Sequence, residues 1–405
     1  MGLRSPVVLA GVVGVGVPVL AAGLIAALTV DPGHEGPYPA GHATTQAAAT
    51  PSAGIETPQA TPVPTAPAAA EPVGFQPDSV QFASADDGWV LGHTSPCAGA
   101  SCLALRKTTD GGATWEQVAL PQPLRDSDAH GGRLIFADSH HGWIETSHGL
   151  FATHDGGTTW RPADPELTAE VQSGSLTVSG DTAYFAAVET GGRPVLFTST
   201  VGTDSWTKTT GIPATVGGGP NPLAHVVAVG SRAWYEVYDR GWGGARLVDG
   251  TWTGWASPCG GDGPADWTVT SAKRVLALCG RSGFHDDNGT TMRLLTSIDG
   301  GVSFTETAQL APTLVPNAAL AAADATHLNA VLDNQVLASA DGGQSWSTAY
   351  TAPDPGWQVS SSVFATDTTG FMILAQAGTG SGPQATRMLV TQDAGHSWAP
   401  VEFGV

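Results

Sequence analysis

Seven segments of the chain share one pattern of hydrophobic and polar positions. Each is an apolar run with alternation, then a polar turn, then a second apolar run, which is the pattern of a β-hairpin. The segments are residues 79–92, 133–146, 175–188, 225–238, 266–279, 318–331 and 361–374. The chain also holds 53 Gly and 29 Pro, which favours many short strands joined by turns over long helices. The pattern predicts an all-β fold.

An eight-residue motif, Ser/Thr-x-Asp-x-Gly-x-Ser/Thr-aromatic, follows the hairpins. Five complete copies lie at 108–115, 153–160, 297–304, 339–346 and 391–398. Their acidic and aromatic members are Asp110, Trp115, Asp155, Trp160, Asp299, Phe304, Asp341, Trp346, Asp393 and Trp398. Two worn copies fill the gap: 199–206, with Val201 in place of Asp, and 247–252, which is short but keeps Asp249 and Trp252. One hairpin and one motif recur together in each repeat.

Each repeat supplies four strands, with the motif as the turn between the third and the fourth. A four-stranded sheet repeated radially every 40 to 50 residues or so is a propeller blade. We therefore predict a propeller of seven four-stranded antiparallel blades over residues 75–405. In the motif, Asp is expected to accept hydrogen bonds from its own turn, Gly to adopt a positive φ, and the aromatic ring to pack into or between blades.

The motif resembles the Asp-box, or bacterial neuraminidase repeat (BNR), of β-propellers. Together with the Gly-Trp hairpins (Gly88-Trp89 and Gly142-Trp143), it is similar to the photosystem II stability and assembly factor type of seven-bladed propeller, and to sialidase-like propellers. The resemblance covers residues 77–403. It implies the fold and leaves the function open, because such repeats occur in hydrolases, binding modules and assembly factors.

The N-terminal part has a different composition. Residues 6–30 carry no charge, follow Arg4 and precede Asp31, and a helix of that length would span a bilayer with its N-terminus in the cytoplasm. We predict a signal anchor within 1–30, with a cleaved signal peptide as the alternative. Residues 31–74 hold nine prolines and no Lys or Arg, which predicts a disordered spacer. The propeller is thus expected to be extracytoplasmic, or secreted if the segment is cleaved.

The net charge limits the possible partners, and the cysteines bear on the cellular compartment. With 36 acidic and 16 basic residues the net charge is −20, which excludes nucleic acid as a default partner. The four cysteines of an exported chain are expected to pair. Cys97 with Cys102 and Cys259 with Cys279 is the first choice by proximity along the chain, although four cysteines allow three connectivities.

A sialidase-like glycoside hydrolase is the alternative function. The resemblance implies an arginine triad, a Tyr activated by Glu and an Asp, with the first Arg in an Arg-Ile-Pro sequence that is missing here; Arg193-Pro194 is the nearest match. Tyr235-Glu236 is the only adjacent Tyr-Glu pair, but strand neighbours point to opposite faces. No phosphate loop, Gly-x-Ser-x-Gly or His-Glu-x-x-His occurs. We predict no catalytic residue and no cofactor.

Two groups of residues raise the question of a metal. His140, His141, His148 and His154 are interpreted as solvated turn residues rather than a metal cluster. In the segment 285–289, Asp286 and Asp287 are candidate calcium ligands, but the segment lacks the Glu and the spacing of a calcium loop. We predict no metal site, with the two aspartates kept as candidate ligand-binding residues.

Binding is expected where the loops vary. The connections between second and third strands and between blades share one face; the longest are 93–103, 161–174, 211–223, 256–265, 280–291 and 377–386. On this face Arg240, Trp242 and Trp357 are candidate binding residues, although both Trp rings could instead pack between blades. The expected function is a monomeric, non-catalytic binding or assembly module for a protein or glycan; assembly of a membrane complex is a third hypothesis.

Overall fold

The computed structural model describes fifteen stretches of the chain. They are residues 74–97, 100–125, 132–146, 149–164, 167, 171–189, 192–213, 222–239, 241–260, 266–280, 290–313, 318–332, 334–352, 357–376 and 385–403. All of them belong to one compact unit. The predicted anchor (1–30) and the predicted spacer (31–74), except Gly74, lie outside these stretches. Within them, no helix has the length and apolar character needed to cross a membrane.

The described residues form 28 strands and one short helix. Blades 1 to 3 contain β1 (Gly74–Phe82), β2 (Gly88–Cys97), β3 (Ala100–Thr108), β4 (Glu116–Val118), α1 (Gln122–Arg125), β5 (Arg133–Phe136), β6 (Gly142–Thr146), β7 (Gly149–Thr153), β8 (Arg161–Pro162), β9 (Val171–Ser179), β10 (Thr182–Glu189), β11 (Arg193–Thr200) and β12 (Thr207–Lys208). Blades 4 and 5 contain β13 (Leu223–Val229), β14 (Arg232–Asp239), β15 (Gly241–Val248), β16 (Thr251–Trp255), β17 (Asp266–Val269), β18 (Val275–Cys279), β19 (Thr290–Ser297) and β20 (Thr305–Thr313). Blades 6 and 7 contain β21 (Ala318–Ala322), β22 (Leu328–Leu332), β23 (Gln335–Ser339), β24 (Ser347–Thr351), β25 (Trp357–Phe364), β26 (Gly370–Gln376), β27 (Thr386–Thr391) and β28 (Ala399–Pro400).

These strands make seven four-stranded antiparallel sheets, each in simple sequential order. The first strand of each sheet is innermost, because it contacts the first strands of the sheets before and after it. The last such strand, β25, contacts β1, so the sheets close into a ring. The predicted seven-bladed propeller is confirmed.

The ring closes by side-chain packing between blades 7 and 1, without a shared strand. Phe82 of blade 1 stacks on Phe371 of blade 7, with ring centroids 4.6 Å apart. Gln76 Oε1 accepts the backbone N–H of Thr386 at 2.8 Å. Both ends of the described chain therefore contribute to closure.

The hydrophobic core is divided among the blade interfaces. The buried apolar residues of the described stretches form seven clusters, and each cluster combines residues of two adjacent blades. Between blades 1 and 2, for example, Trp89 stacks on Phe136 with centroids 3.6 Å apart. Burying one such side chain contributes about 1.5–3 kcal/mol. Each sheet is stable because both of its faces are covered by neighbours.

The five complete motifs adopt one hydrogen-bonded turn. In the last copy, the Thr391 hydroxyl donates to Asp393 Oδ1 (2.8 Å) and accepts the N–H of Gly395 (2.9 Å). The N–H and hydroxyl of Ser397 donate to the Asp393 carboxylate at 2.8 and 2.6 Å. The same bonds recur around Asp110, Asp155, Asp299 and Asp341.

The two worn copies differ from each other. In blade 3 the Val201 N–H donates to the Asp181 carbonyl at 2.9 Å. The residue after Asp in a complete motif makes the same type of contact, as when Gly156 donates to the His140 carbonyl. Blade 4 instead has a two-residue turn at Asp249-Gly250, with φ of 49° and 78°, as in a type I′ hairpin. The segment 247–252 is therefore a tight hairpin and not a shortened motif.

Candidate functional site

The two ends of the propeller differ in what they offer to a ligand. One end, the box face, carries the turns between first and second strands and the Asp motifs; the other, the loop face, carries the remaining connections. On the box face the motif carboxylates are occupied by their own turns. The hydroxyls of Thr114 and Ser345 make the largest contribution to lowering the pKa of Asp110 and Asp341 to about 2. These Asp side chains serve folding.

A row of three apolar side chains lies at the loop-face end of blade 4. Leu223 is opposite Tyr238, and Tyr238 is opposite Trp242, on three adjacent strands. Leu223 and Tyr238 are 45% and 49% exposed, which is unusual for large hydrophobic residues in the described stretches. Side chains directly opposite one another share one face of a sheet. The row therefore places two exposed apolar side chains beside Trp242, which is partly buried and packs against the cluster between blades 4 and 5.

A polar row lies directly below it on the same strands. His225 is opposite Glu236, and its Nδ1 lies 3.2 Å from Glu236 Oε1. The indole N–H of Trp242 donates to Glu236 Oε2 at 2.8 Å. His225 Nε2 is buried and has no hydrogen-bond partner among the described residues. We call these five residues, Leu223, His225, Glu236, Tyr238 and Trp242, the blade 4 rim.

A buried carboxylate adjoins the rim from blade 5. Asp266 is 5% exposed, and its oxygens accept the N–H groups of Trp267 (2.8 Å) and Leu320 (2.6 Å). Burial raises the pKa of Asp266 to about 7; the two backbone hydrogen bonds oppose the shift, and the charge of Glu236 adds to it. Since Leu320 is in β21, Asp266 links blades 5 and 6. It acts as a structural acceptor with little surface for a ligand.

A second buried carboxylate joins blades 2 and 3. Burial raises the pKa of Glu145 to about 7, against the charge of Arg133 and a hydrogen bond from the backbone of Gly174. Its Oε2 atom is buried and has no hydrogen-bond partner in the described part of the chain. Both carboxylates thus tie a blade to the innermost strand of the next one.

The Tyr-Glu pair considered for catalysis is split across the blade. Tyr235 packs in the cluster between blades 3 and 4, and Glu236 faces His225 and Trp242 on the other side. The Tyr235 hydroxyl is buried and unpaired in the described structure, and burial raises its pKa well above the ordinary value. Glu236 therefore does not activate this tyrosine.

The other predicted binding residues have different placements. Trp357 is 4% exposed and packs between blades 6 and 7, with the Arg387 guanidinium 4.8 Å above its ring. This position gives its predicted binding role no support. Arg240, Asp286 and Asp287 lie outside the described residues, so their roles stay predictions.

The histidines near the box face are held by carboxylates. His141 Nδ1 lies 2.8 Å from Asp138 Oδ2, and His154 Nε2 lies 2.7 Å from Asp204 Oδ2. The described stretches hold no group of three or more His, Cys, Asp or Glu side chains arranged for a metal ion. His148 is not among the described residues.

Two cysteines adjoin the rim. Cys259 and Cys279 are at disulfide distance, with Cα atoms 5.4 Å apart, and Cys259 packs against the same cluster as Trp242. The side chain of Cys97 is not described, so its pairing with Cys102 stays a prediction.

Sequence reasoning identified Trp242 but missed its neighbours. Leu223, Tyr238 and His225 carry no motif of their own. A signal was present in the hairpin: the turn at Gly230-Ser231 sets the register in which His225 faces Glu236 and Leu223 faces Tyr238. The exposure of these side chains could not be predicted from the sequence, because it depends on where blade 5 begins.

Comparison with known proteins gives the fold. No protein-family model and no curated protein matches the chain. YCF48 from Cyanidioschyzon merolae matches with a TM-score of 0.53 and 17% identity, over 76% of this chain and 95% of that chain. A polysaccharide lyase, PL25 ulvan lyase, matches with a TM-score of 0.50 and 10% identity, over 79% of this chain and 92% of that chain. At these identities the similarity extends to the propeller fold alone.

Proposed function

We propose that this chain is an extracytoplasmic, non-catalytic binding or assembly module that captures a protein partner on its loop face. The observation that carries the proposal is the blade 4 rim, where Leu223 and Tyr238 are about half exposed beside Trp242. Aromatic residues are enriched where binding energy is concentrated. The Asp motifs of the box face, in contrast, satisfy their own polar groups.

The extracytoplasmic location has two supports. One is the uncharged segment 6–30 ahead of a Pro-rich stretch. The other is the proximity of Cys259 and Cys279, since disulfides persist mainly in oxidising compartments. Labelling of intact cells with a membrane-impermeant amine reagent tests the location, and protection of the chain until the cells are lysed would contradict it.

Photo-crosslinking in the native envelope tests the binding face. A photoreactive phenylalanine replaces Tyr238 on the loop face, and the matched control replaces Ile298, which is 75% exposed in the motif of blade 5 on the box face. We expect a discrete protein adduct from position 238, identified by mass spectrometry, and none from 298. Adducts from 298 alone, or equal labelling at both, would overturn the assignment of the face.

The non-catalytic part of the proposal is tested with substrate. The separation of Tyr235 from Glu236 supports it, because no activated tyrosine is formed there. The purified full-length chain is incubated with fluorogenic sialosides and common glycosides. Enzyme-dependent release of the phenol would contradict a purely binding function.

A further inference from the structure

The blade 4 rim combines aromatic rings with negative charge. Tyr238 is 49% exposed, and Trp242 lies beside it with its indole N–H already bound to Glu236. The indole lies close over β15 because residue 244 is Gly; a Cβ there would come within 2.7 Å of Trp242 Cη2. The ring also meets Trp255 edge-to-face, with centroids 5.2 Å apart, so it is partly buried. With its donor occupied, Trp242 offers a partner the exposed part of its ring rather than a hydrogen bond.

The negative charge beneath these rings is not matched by a described Lys or Arg. Within the described stretches, Glu236 pairs only with His225. The chain as a whole carries a net charge of −20. A cation bound at the rim would meet favourable potential from both the Glu236 carboxylate and the net negative charge of the chain.

A third feature of the rim is an incomplete hydrogen-bond arrangement. His225 is 6% exposed, and its Nε2 has no partner in the described structure. Its ring meets Trp267 edge-on at 5.6 Å, and the indole N–H of Trp267 is also buried without a described partner. When His225 Nδ1–H donates to Glu236, Nε2 is an acceptor, so it can accept a hydrogen bond from a ligand's donor, whereas the Trp267 N–H would need an acceptor.

We propose that the blade 4 rim binds a Lys or Arg side chain of the partner protein, between the rings of Tyr238 and Trp242 and above the carboxylate of Glu236. This proposal rests on the proposed function and names the chemistry of its partner. Aromatic faces attract ammonium and guanidinium groups within about 6 Å of the ring centroid. Glu236 can accept another donor, because an ionised carboxylate has about four acceptor positions.

Charge decides between a basic protein segment and a glycan as the occupant. A neutral glycan would use the rings but gain nothing from the net negative charge, and an acidic glycan would be repelled. A cationic side chain uses both features. Leu223, which is 45% exposed beside Tyr238, provides apolar surface for the methylene part of the Lys or Arg side chain.

Fluorine NMR tests the proposal on the full-length chain. The protein is labelled with 5-fluorotryptophan, and the Trp242→Phe variant assigns the Trp242 resonance. The probe is arginine amide, and its isostere is citrulline amide, which has an uncharged side chain and keeps the same α-ammonium group. We expect a saturable shift of the Trp242 resonance with arginine amide, and roughly tenfold weaker binding of citrulline amide.

Two variants and one control locate the site. Glu236→Gln and Tyr238→Ala are expected to weaken arginine amide binding by roughly five- to tenfold each. Glu116→Gln removes one exposed carboxylate from β4 of blade 1 and is expected to leave binding unchanged. Tyr238 is half exposed, so its variant keeps the test valid if Glu236→Gln misfolds.

Equal binding of both amides, no shift at Trp242, or unchanged binding in both variants would overturn the proposal. The crosslinking and the NMR experiments distinguish failure of this proposal from failure of the proposed function. If position 238 crosslinks a partner but arginine amide does not shift the Trp242 resonance, the loop face remains the binding face and the Lys or Arg site is contradicted. Binding of arginine amide without any crosslinked partner would support the cation site and contradict the proposal that the chain is a protein-binding module.

Discussion

The indole N–H of Trp89 donates a hydrogen bond to the main-chain oxygen of Gly156, 3.0 Å away, across the interface between blades 1 and 2. Trp234 makes the same bond to Gly300, and the Asn329 amide donates to the oxygen of Gly395, one position further along its motif. The sequence separations are 67, 66 and 66 residues. The second strand of one blade thus recognises the Asp motif of the next, which explains why hairpins and motifs recur together.

We predict that Trp89→Phe destabilises the propeller. The ring can still stack on Phe136, but the Gly156 oxygen loses its buried donor, so the free energy of unfolding should fall by about 1–3 kcal/mol. Denaturant unfolding followed by circular dichroism measures the change. The matched control is Trp115→Phe, because the Trp115 indole nitrogen has no hydrogen-bond partner among the described residues. An equal loss in both variants would assign the effect to ring size rather than to the hydrogen bond.

We predict a similar loss when the Asp motif loses its first hydroxyl. Thr391 is 1% exposed, and Thr391→Val keeps its shape while removing the acceptor for the Gly395 N–H. A buried N–H without a partner costs about 1–3 kcal/mol of stability. The midpoint of chemical denaturation measures it, with the exposed Thr351→Val in β24 as control. If the two variants unfolded at the same midpoint, the motif bond would contribute nothing.

The fold was predictable because its signals are local. Strand alternation, turn glycines and the Asp motif each lie within a few residues, and their repetition fixed the number of blades. The blade 4 turn at Asp249-Gly250 was misread because an Asp-Gly pair with a nearby Trp fits both a motif and a type I′ hairpin. The strand register, with Val248 opposite Thr251, and the positive φ of both turn residues distinguish them.

The candidate site was less predictable because the exposure of a side chain depends on residues that are distant in the sequence. Trp357, at the start of the first strand of blade 7, and Trp242, at the start of the third strand of blade 4, are both expected on the loop face, but Arg387 and the cluster between blades 6 and 7 cover Trp357. Tyr238 stays exposed at the loop-face end of blade 4. Inter-blade contacts of this kind cannot be derived from the repeat itself.

Reduction of the Cys259–Cys279 pair is predicted to destabilise blades 4 and 5. The two residues are 20 positions apart, and closing a loop of that size stabilises a protein by about 3 kcal/mol. Unfolding with and without a reductant, in the native chain and in Cys259→Ser, measures the effect; the variant should respond less to reductant. Peptide mapping without reduction should recover the linked peptides, and free thiols at both positions would contradict the pairing.

Stability is predicted to fall as the pH rises from 5 to 8. The ordinary pKa of Asp266 is 3.8, and burial raises it to about 7 in the fold, while Glu145 shifts from 4.5 to about 7. Between these values the folded state keeps protons that the unfolded state releases, so their stabilising contribution is complete below about pH 4 and is lost as the pH passes 7. Each group accounts for about 2 kcal/mol between pH 5 and 8.

The variant Asp266→Asn isolates one of the two groups. Asn cannot ionise, and its side-chain oxygen can still accept the N–H of Leu320, so the dependence of unfolding free energy on pH should be flatter by about 2 kcal/mol between pH 5 and 8. Asp86→Asn, in the exposed turn of blade 1, is the control for loss of one negative charge. The measurement is the denaturation midpoint at several pH values. The same slope in Asp266→Asn as in the parent chain would mean that Asp266 is already ionised at pH 5 and that its environment is more polar than its burial between blades 5 and 6 implies.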